Sequence, residues 1–504
     1  MKLKYLSLVI AGMAITGTSY AQYVNDALRF SQAQYGSTAR FKGLGNAGTA
    51  VGGDLSSIGT NPAGLGLFTK SEFSFTPEFV NYSSKSSFLT LNTNAQKDKV
   101  AVTNAAVAWV MRMRRAEGSD LKKGLISLNF GLAYNKTNDF ANKIIYSGTN
   151  PTNSIADFYA DLTNNGGYGA PSSSNPPDGS LERGAYEGYL TDYFGGKYVP
   201  DTDVNNKQTK SEDRNGSQSE INLSAGINIS NKLFLGASIG ILSLDYTSSG
   251  TFNEKGYTFG YLSNYDTDYI QNYNTTGTGI NGKLGIIYKP ASFLRLGATA
   301  QTASWYSIND SYSEMISTNL SASTTNPSLT VENDRQYYNF AYKLKTPARY
   351  NIGAAFFNNS IGFISGEVEL VDYNSILLST SNSEDEDIIL DNNQEIASNF
   401  TNTVNYKIGG ELRASPNVML RAGYNLLGSA SDVQTSNRFK TNIYSGGAGY
   451  RFSNFYLDMT VQHVSYDTEF QPYVLNTANT SGPAPVASVT NARNNVFVTF
   501  GMRF

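Results

Sequence analysis

Three groups of residues have types and spacing that could do chemistry. The first, Gly43-Leu44-Gly45-Asn46-Ala47-Gly48, is a literal G-x-G-x-x-G, which between a strand and a helix would seat a dinucleotide pyrophosphate. The second is a set of charges, Arg295, Glu411, Arg413, Arg421, Arg451, Asp458 and Arg503, each within a few residues of an expected short turn or of the C-terminus. The third is the acidic run Glu384-Asp385-Glu386-Asp387, which lacks the EF-hand spacing and reads as a solvated loop. The chain has no Cys and a single His, His463, and no G-x-S-x-G elbow organises its serines. We therefore expect no catalytic residues, no metal site, no cofactor and no enzymatic activity.

The elements that position these groups argue for a membrane barrel. Apolar residues make up only 40% of the 504, and mean hydropathy is −0.32, yet Gly, Tyr and Phe are abundant. A wall whose strands alternate between lipid and a polar lumen, with aromatic girdles at both interfaces, has this composition. Net charge is −3 with pI near 5.5, so there is no basic footprint and no nucleic-acid partner is expected.

Residues 1–21 read as a secretory signal peptide, with Lys2 and Lys4 ahead of an apolar stretch from Leu6 to Ile15 and small residues before Gln22. Cleavage is expected near Ala21. No later run is long and apolar enough for a membrane helix, which leaves periplasmic release or outer-membrane assembly. Residues 22–70 have neither helical nor strand period beyond one helical turn at Val24 to Phe30. They read as a compact plug built on Gly43, Gly45, Gly48, Asp54, Asn61, Pro62 and Ala63, with the leader boundary too close to admit a βαβ unit.

From residue 71 the period is two. Ile126, Leu128, Phe130, Leu132 and Tyr134 share one face of a strand and Ser127, Asn129, Gly131, Ala133 and Asn135 the other, with no break in the alternation. The clearest hairpin runs from Ile221 through the Ser230-Asn231 turn to Ile241. About 14 antiparallel strands are expected, ending on Val496, Val498, Phe500, Met502 and Phe504, a terminal pattern like that read by the barrel assembly machinery. Short turns alternate with long loops, among them Ser83 to Lys99 and Thr247 to Thr276. The short turns and both termini are thereby placed in the periplasm.

The segment from Lys136 to Asn215 reads as a long extracellular loop with two amphipathic helices. Ile155, Phe158, Tyr159 and Leu162 carry one apolar stripe, and Leu181, Ala185, Tyr189 and Tyr193, widened by Leu190 and Phe194, carry the other. Together they are a candidate apolar groove for a hydrophobic ligand. The charged set named first would form a ring at the periplasmic end of the lumen, paired within itself or with Asp54. It reads as a network holding the plug, and it is also where an anionic head group could be held.

Gly43-Leu44-Gly45-Asn46-Ala47, Asp54 and Asn61-Pro62-Ala63, followed by Phe68 and a first strand, resemble the FadL/TodX outer-membrane transporters of long-chain fatty acids and other hydrophobic compounds. The resemblance implies an all-β membrane barrel (71–504) closed by an N-terminal hatch (22–70). It also implies an outer apolar groove, a lumen pocket above the hatch, and release through an opening in the wall. The function expected is passive transport of hydrophobic small molecules across a Gram-negative outer membrane. The partners expected are the ligand, outer-membrane lipids and the assembly machinery, with the chain a monomer. The alternative is a structural or secretion-accessory barrel that shuttles or anchors partner proteins.

Overall fold

The computed structural model describes residues 20–504 apart from 35, 115–119, 121, 359, 432–439 and 477–481. The expected signal peptide lies outside the described residues except for its last two, which open helix α1 (Tyr20–Ser31). Helix α2 (Ala39–Gly43) and two 3-10 turns (Leu55–Ile58 and Pro62–Leu67) complete the N-terminal segment.

The wall begins with β1 (Glu72–Phe88), β2 (Leu91–Arg112), β3 (Leu125–Asp139) and β4 (Asn142–Asn150). Helices α3 (Ile155–Asn165) and α4 (Leu181–Glu187) and a small hairpin, β5 (Thr191–Phe194) and β6 (Lys197–Pro200), interrupt it. It resumes with β7 (Asn206–Ile229), β8 (Leu233–Thr258), β9 (Ser263–Ala291), β10 (Leu294–Gln301), β11 (Trp305–Leu320), β12 (Leu329–Glu332), β13 (Gln336–Lys345), β14 (Arg349–Asn358), β15 (Gly362–Asp372) and β16 (Leu377–Ser379). Helix α5 (Glu386–Asn399) precedes β17 (Asn402–Arg413), β18 (Val418–Leu427), β19 (Thr441–Phe452), β20 (Phe455–Phe470) and β21 (Ala487–Arg503).

Every neighbouring pair is antiparallel, and β21 pairs back onto β1 from Glu72↔Arg503 to Ser87↔Ser488, so the sheet closes. Several staves are broken strands. β10 and β11 share one position against β9, β13 and β14 the next, and β15 and β16 the one after. Counted this way the barrel has the expected 14 staves. The break at Thr346-Pro347-Ala348 has a local cause, because proline cannot donate to a ladder. Ser304 and Thr346 stitch that break to the adjacent one, with Thr346 N donating to Ser304 O at 2.9 Å and Ser304 N to Thr346 Oγ1 at 3.0 Å.

Alternation decides which side chains meet lipid. Phe73, Phe75, Phe79, Phe130, Leu132, Ile221, Leu223, Ile239, Ile241, Ile352, Ile364, Ile408 and Val461 are exposed on the outer face, while Asn129, Asn135, Asn222 and Ser224 are buried inside. An exposed apolar band around a closed sheet is the outer surface of an outer-membrane-type barrel. Among the described residues no helix is long and apolar enough to cross a membrane.

Three expected loops are strand. Residues 83–88 and 91–99 form one hairpin around Leu89-Thr90, and 247–258 and 263–276 another around 259–262. Residues 206–215 belong to β7 and 142–150 to β4, so the segment outside the wall is 151–205 rather than 136–215. Beyond the apolar band the outer face turns polar while the inner face buries Phe252, Tyr265 and Tyr269 in an apolar core. The outward-apolar pattern that marks a lipid-facing strand therefore disappears from the sequence while the ladder continues.

Candidate functional site

The floor of the lumen is built from the N-terminal segment. Asp54 caps the first 3-10 turn by accepting from Ser56 N at 2.9 Å, and it also accepts from Thr38 Oγ1 at 2.8 Å. Asn61 caps the second, accepting from Ala63 N at 3.1 Å and donating to Thr49 O at 2.7 Å, with Pro62 and Ala63 opening that turn. Of the motif glycines, Gly45 has φ +62° and lies against the Tyr424 backbone, where a side chain would be strained. Gly43 abuts Thr460 and Gly48 abuts the Phe41 ring. A helix, α2, precedes this motif where a nucleotide fold needs a strand. It is packing, not a phosphate cradle.

Much of the charged set converges on this floor. Arg421 of β18 donates to Glu411 of the adjacent β17 at 2.8 Å and, across β19, to Asp458 of β20 at 2.6 Å. Glu411 also takes Arg40 of α2 at 2.8 Å, and Arg40 reaches Asp54 at 3.7 Å. Asp54 thus meets the ring through Arg40, a residue not singled out from the sequence. Burial alone would lower the Arg40 guanidinium, but Glu411 and Asp54 hold it above its ordinary value. Arg295 donates to Val51 O and stacks on Phe357. Arg503 pairs with Glu72 at 2.8 Å, and Arg451 and Arg503 both lie over the Tyr456 ring. Arg413 sits exposed at the end of β17.

A second tier lies deeper in the wall. Lys283 bonds Glu220 at 2.8 Å and Gly59 O at 2.9 Å, and Lys407 bonds Glu367 at 2.8 Å. Arg349 bonds Glu369 at 3.0 Å and Ser31 O at 2.7 Å, and Glu367 accepts from Thr49 N at 3.0 Å. The sequence signal was there, since Glu367 and Glu369 alternate with outward Val368 and Leu370 in mid-strand. A charge at inward parity far from any turn has to be paired inside.

Above the floor the lumen is filled and lined mainly by apolar side chains, with Asp26 and Asp310 buried among them. Tyr23, Val24, Ala27 and Phe30 of α1 pack against Leu242, Leu244, Tyr246, Tyr306, Ile308, Tyr342 and Leu344 of the wall and against Ile389 and Ile396 of α5.

The wall beside this chamber has a gap. The β2–β3 ladder ends at Asn104↔Asn135, and β3 slips register against β7 between Lys136 and Asn138 and stops at Asp139. Phe140 turns inward onto Phe30 and Tyr246, and β4 follows β7 but leans over the inner side of β1, where Ser84 Oγ donates to Lys143 O at 2.6 Å. Among the described residues no ladder joins the rest of β2, Leu91 to Thr103, to β3 or β4. The unbroken alternation of 126–135 gave no sign of this, because the break comes just after it.

Comparison with solved structures matches this barrel along almost its whole length. A FadL homologue from Pseudomonas aeruginosa aligns over 94% of this chain and 99% of its own at 13% identity, with a TM-score of 0.53. The chain has a FadL-type fold. The toluene transporters TodX of P. putida (11% identity, 89% of this chain and 94% of that one, TM-score 0.47) and TbuX of Ralstonia pickettii (13%, 93% and 98%, 0.48) also align. No protein-family model and no curated protein sequence matches.

In this FadL-type barrel the two apolar stripes do not line an open groove. Ile155, Phe158, Tyr159, Leu181, Ala185 and Leu190 are buried in one cap core with Phe252, Tyr265, Tyr269, Ile316, Tyr473 and Leu475, and partly buried Leu162 packs on it. The second stripe is not one helix. Helix α4 ends at Glu187, and Tyr193 and Phe194 lie on β5, because Gly195 and Gly196, both at positive φ, turn the chain into the β5–β6 hairpin. Tyr189 is at the surface and Phe194 is 75% exposed. The cap is anchored by Glu254, which accepts from Ser154 Oγ at 2.5 Å, Ile155 N at 3.0 Å, Gln208 Nε2 at 2.7 Å and Tyr265 Oη at 2.7 Å. His463 pairs with Asn494 on the outside of the wall.

Proposed function

We propose that this barrel is an outer-membrane channel that passes hydrophobic small molecules, such as long-chain fatty acids, without cofactor, energy input or catalysis. One observation carries the reading: the lumen is blocked by the N-terminal segment, and the wall loses its ladder beside the lumen. A molecule entering from the long-loop end has no straight path to the short-turn end. The sideways path is the one left, and it leads to the outer rim of the apolar band.

On this reading residues 22–70 act as a hatch, the apolar chamber now holding α1 is the inner pocket, and the cap of α3, α4, β5 and β6 faces the cell exterior. The FadL-type fold supports the same assignment. A hydrocarbon or acyl chain gains free energy in proportion to the apolar area removed from water, so an apolar chamber beside a bilayer needs no pump. The test is uptake of labelled oleate by intact cells, with and without the protein. Uptake should rise on expression of the full chain. An equal rate with and without a correctly folded barrel would overturn the proposal.

A further inference from the structure

Where the β2 ladder is missing, two lysines replace it. Lys97 and Lys99 stand two apart on β2, facing inward, and they reach Arg214 O at 3.0 Å and Gly216 O at 3.4 Å, carbonyls also two apart on β7. This is the spacing of a ladder, with side-chain ammonium groups in place of backbone N–H groups across a wider gap. Each rung carries a counter-ion. Lys97 pairs with Asp213, and Lys99 pairs with Asp139 at 3.1 Å. Asp139 also fixes the strand corner by accepting from Ala141 N at 3.0 Å. Gly216, at φ +104°, lies where β7 exchanges β3 for β4 as its partner.

We propose that the gap is a gate barred by charge, with Lys97 and Lys99 as its bars, so that they set the rate at which an apolar molecule leaves sideways. The inference rests on the lateral route proposed above. Along most of the wall the staves are joined by runs of cooperative backbone bonds, whereas here the two ammonium groups hold together with Thr93 Oγ1, which donates to Ile145 O at 2.6 Å. Lys97 and Asp213 are partly solvated, with side chains 18% and 43% exposed, and such pairs are weak and screened by salt. The joint lies at the edge of the outward apolar band, where exposed Val100 is followed by Asp98 hydrogen-bonded to Asn81. It is therefore a part of the wall that can open without breaking a ladder. While closed, it puts charge across the path of a neutral molecule.

The test uses the full chain, which has no Cys of its own to interfere with labelling. In oleate uptake by intact cells, K97M/K99M should raise the initial rate at least threefold. Bridging Lys97→Cys to Asp213→Cys with a short bifunctional methanethiosulfonate should reduce it at least threefold, reversibly on reduction. A rate within experimental error of wild type in both overturns the gate while leaving transport standing. If the wild-type barrel moves no oleate, the transport reading fails, and the gate is decided by distance measurement. Spin labels at Val100→Cys and Ile221→Cys should report a broader inter-strand distribution in K97M/K99M than in the lysine form, and an unchanged distribution overturns the proposal.

Discussion

Lys42 shows how a single charge in the floor couples to pH. It is buried on α2 beside Arg493 and Lys136, with the Phe497 ring at 5.2 Å, and Glu78 and Asp139 face Lys136 from the other side. Burial first, then the nearby Arg493 and Lys136, lower its pKa from the ordinary 10.5 to about 7. Between those values the unfolded chain binds the proton and the folded chain does not, so stability rises with pH from about 7 towards 10.5. Urea unfolding of the refolded barrel should show a midpoint that climbs over this window, with Lys42→Met flattening the slope. An identical slope in the variant would assign the effect to other groups.

Among the elements, the cap depends on one carboxylate. Glu254, on the part of β8 beyond the apolar band, takes the first free N–H of α3 together with three side-chain donors, and the positive end of the helix favours it. Glu254→Ala leaves four buried donors without their acceptor, at about 1–3 kcal/mol for each one not re-satisfied. Proteolysis within 151–205 should therefore speed up roughly tenfold or more, since each 1.4 kcal/mol is about a factor of ten. The far-UV spectrum of the barrel should stay the same. Unchanged protection would show that the apolar core around Tyr159 and Leu190 holds the cap alone.

For the molecule as a whole, closure is the decisive property. With β21 paired along β1 the sheet closes on itself, and a membrane-embedded backbone must satisfy its polar groups internally. Unheated protein should migrate faster than boiled protein in an SDS gel, in one discrete shift. Absence of that shift from a transport-competent preparation would contradict a closed barrel.

What the sequence alone determined was whatever depends on period and on local turn chemistry. Period-two alternation against lipid wrote the membrane-level staves and their number into the chain, and Asp54 and Asn61 were legible as elements of a tight turn segment because a cap acts on residues two positions away. The charges near the short turns were legible as inward by parity, although Arg413 is exposed and Arg40, their link to Asp54, lay in another element. Only the tertiary structure decided the rest. Strands above the band lost the outward-apolar signature because their outer face is polar there and their apolar residues point into the cap. The stripes at 155–194 carried a helical pattern but no indication of their partner, and Phe252, Tyr269 and Tyr473 turned a candidate groove into a closed core. The G-x-G-x-x-G became packing against Tyr424 and Thr460, and the gap beside Asn104 came from the inward lean of β4, because register and contact between distant segments are settled only when the sheet closes.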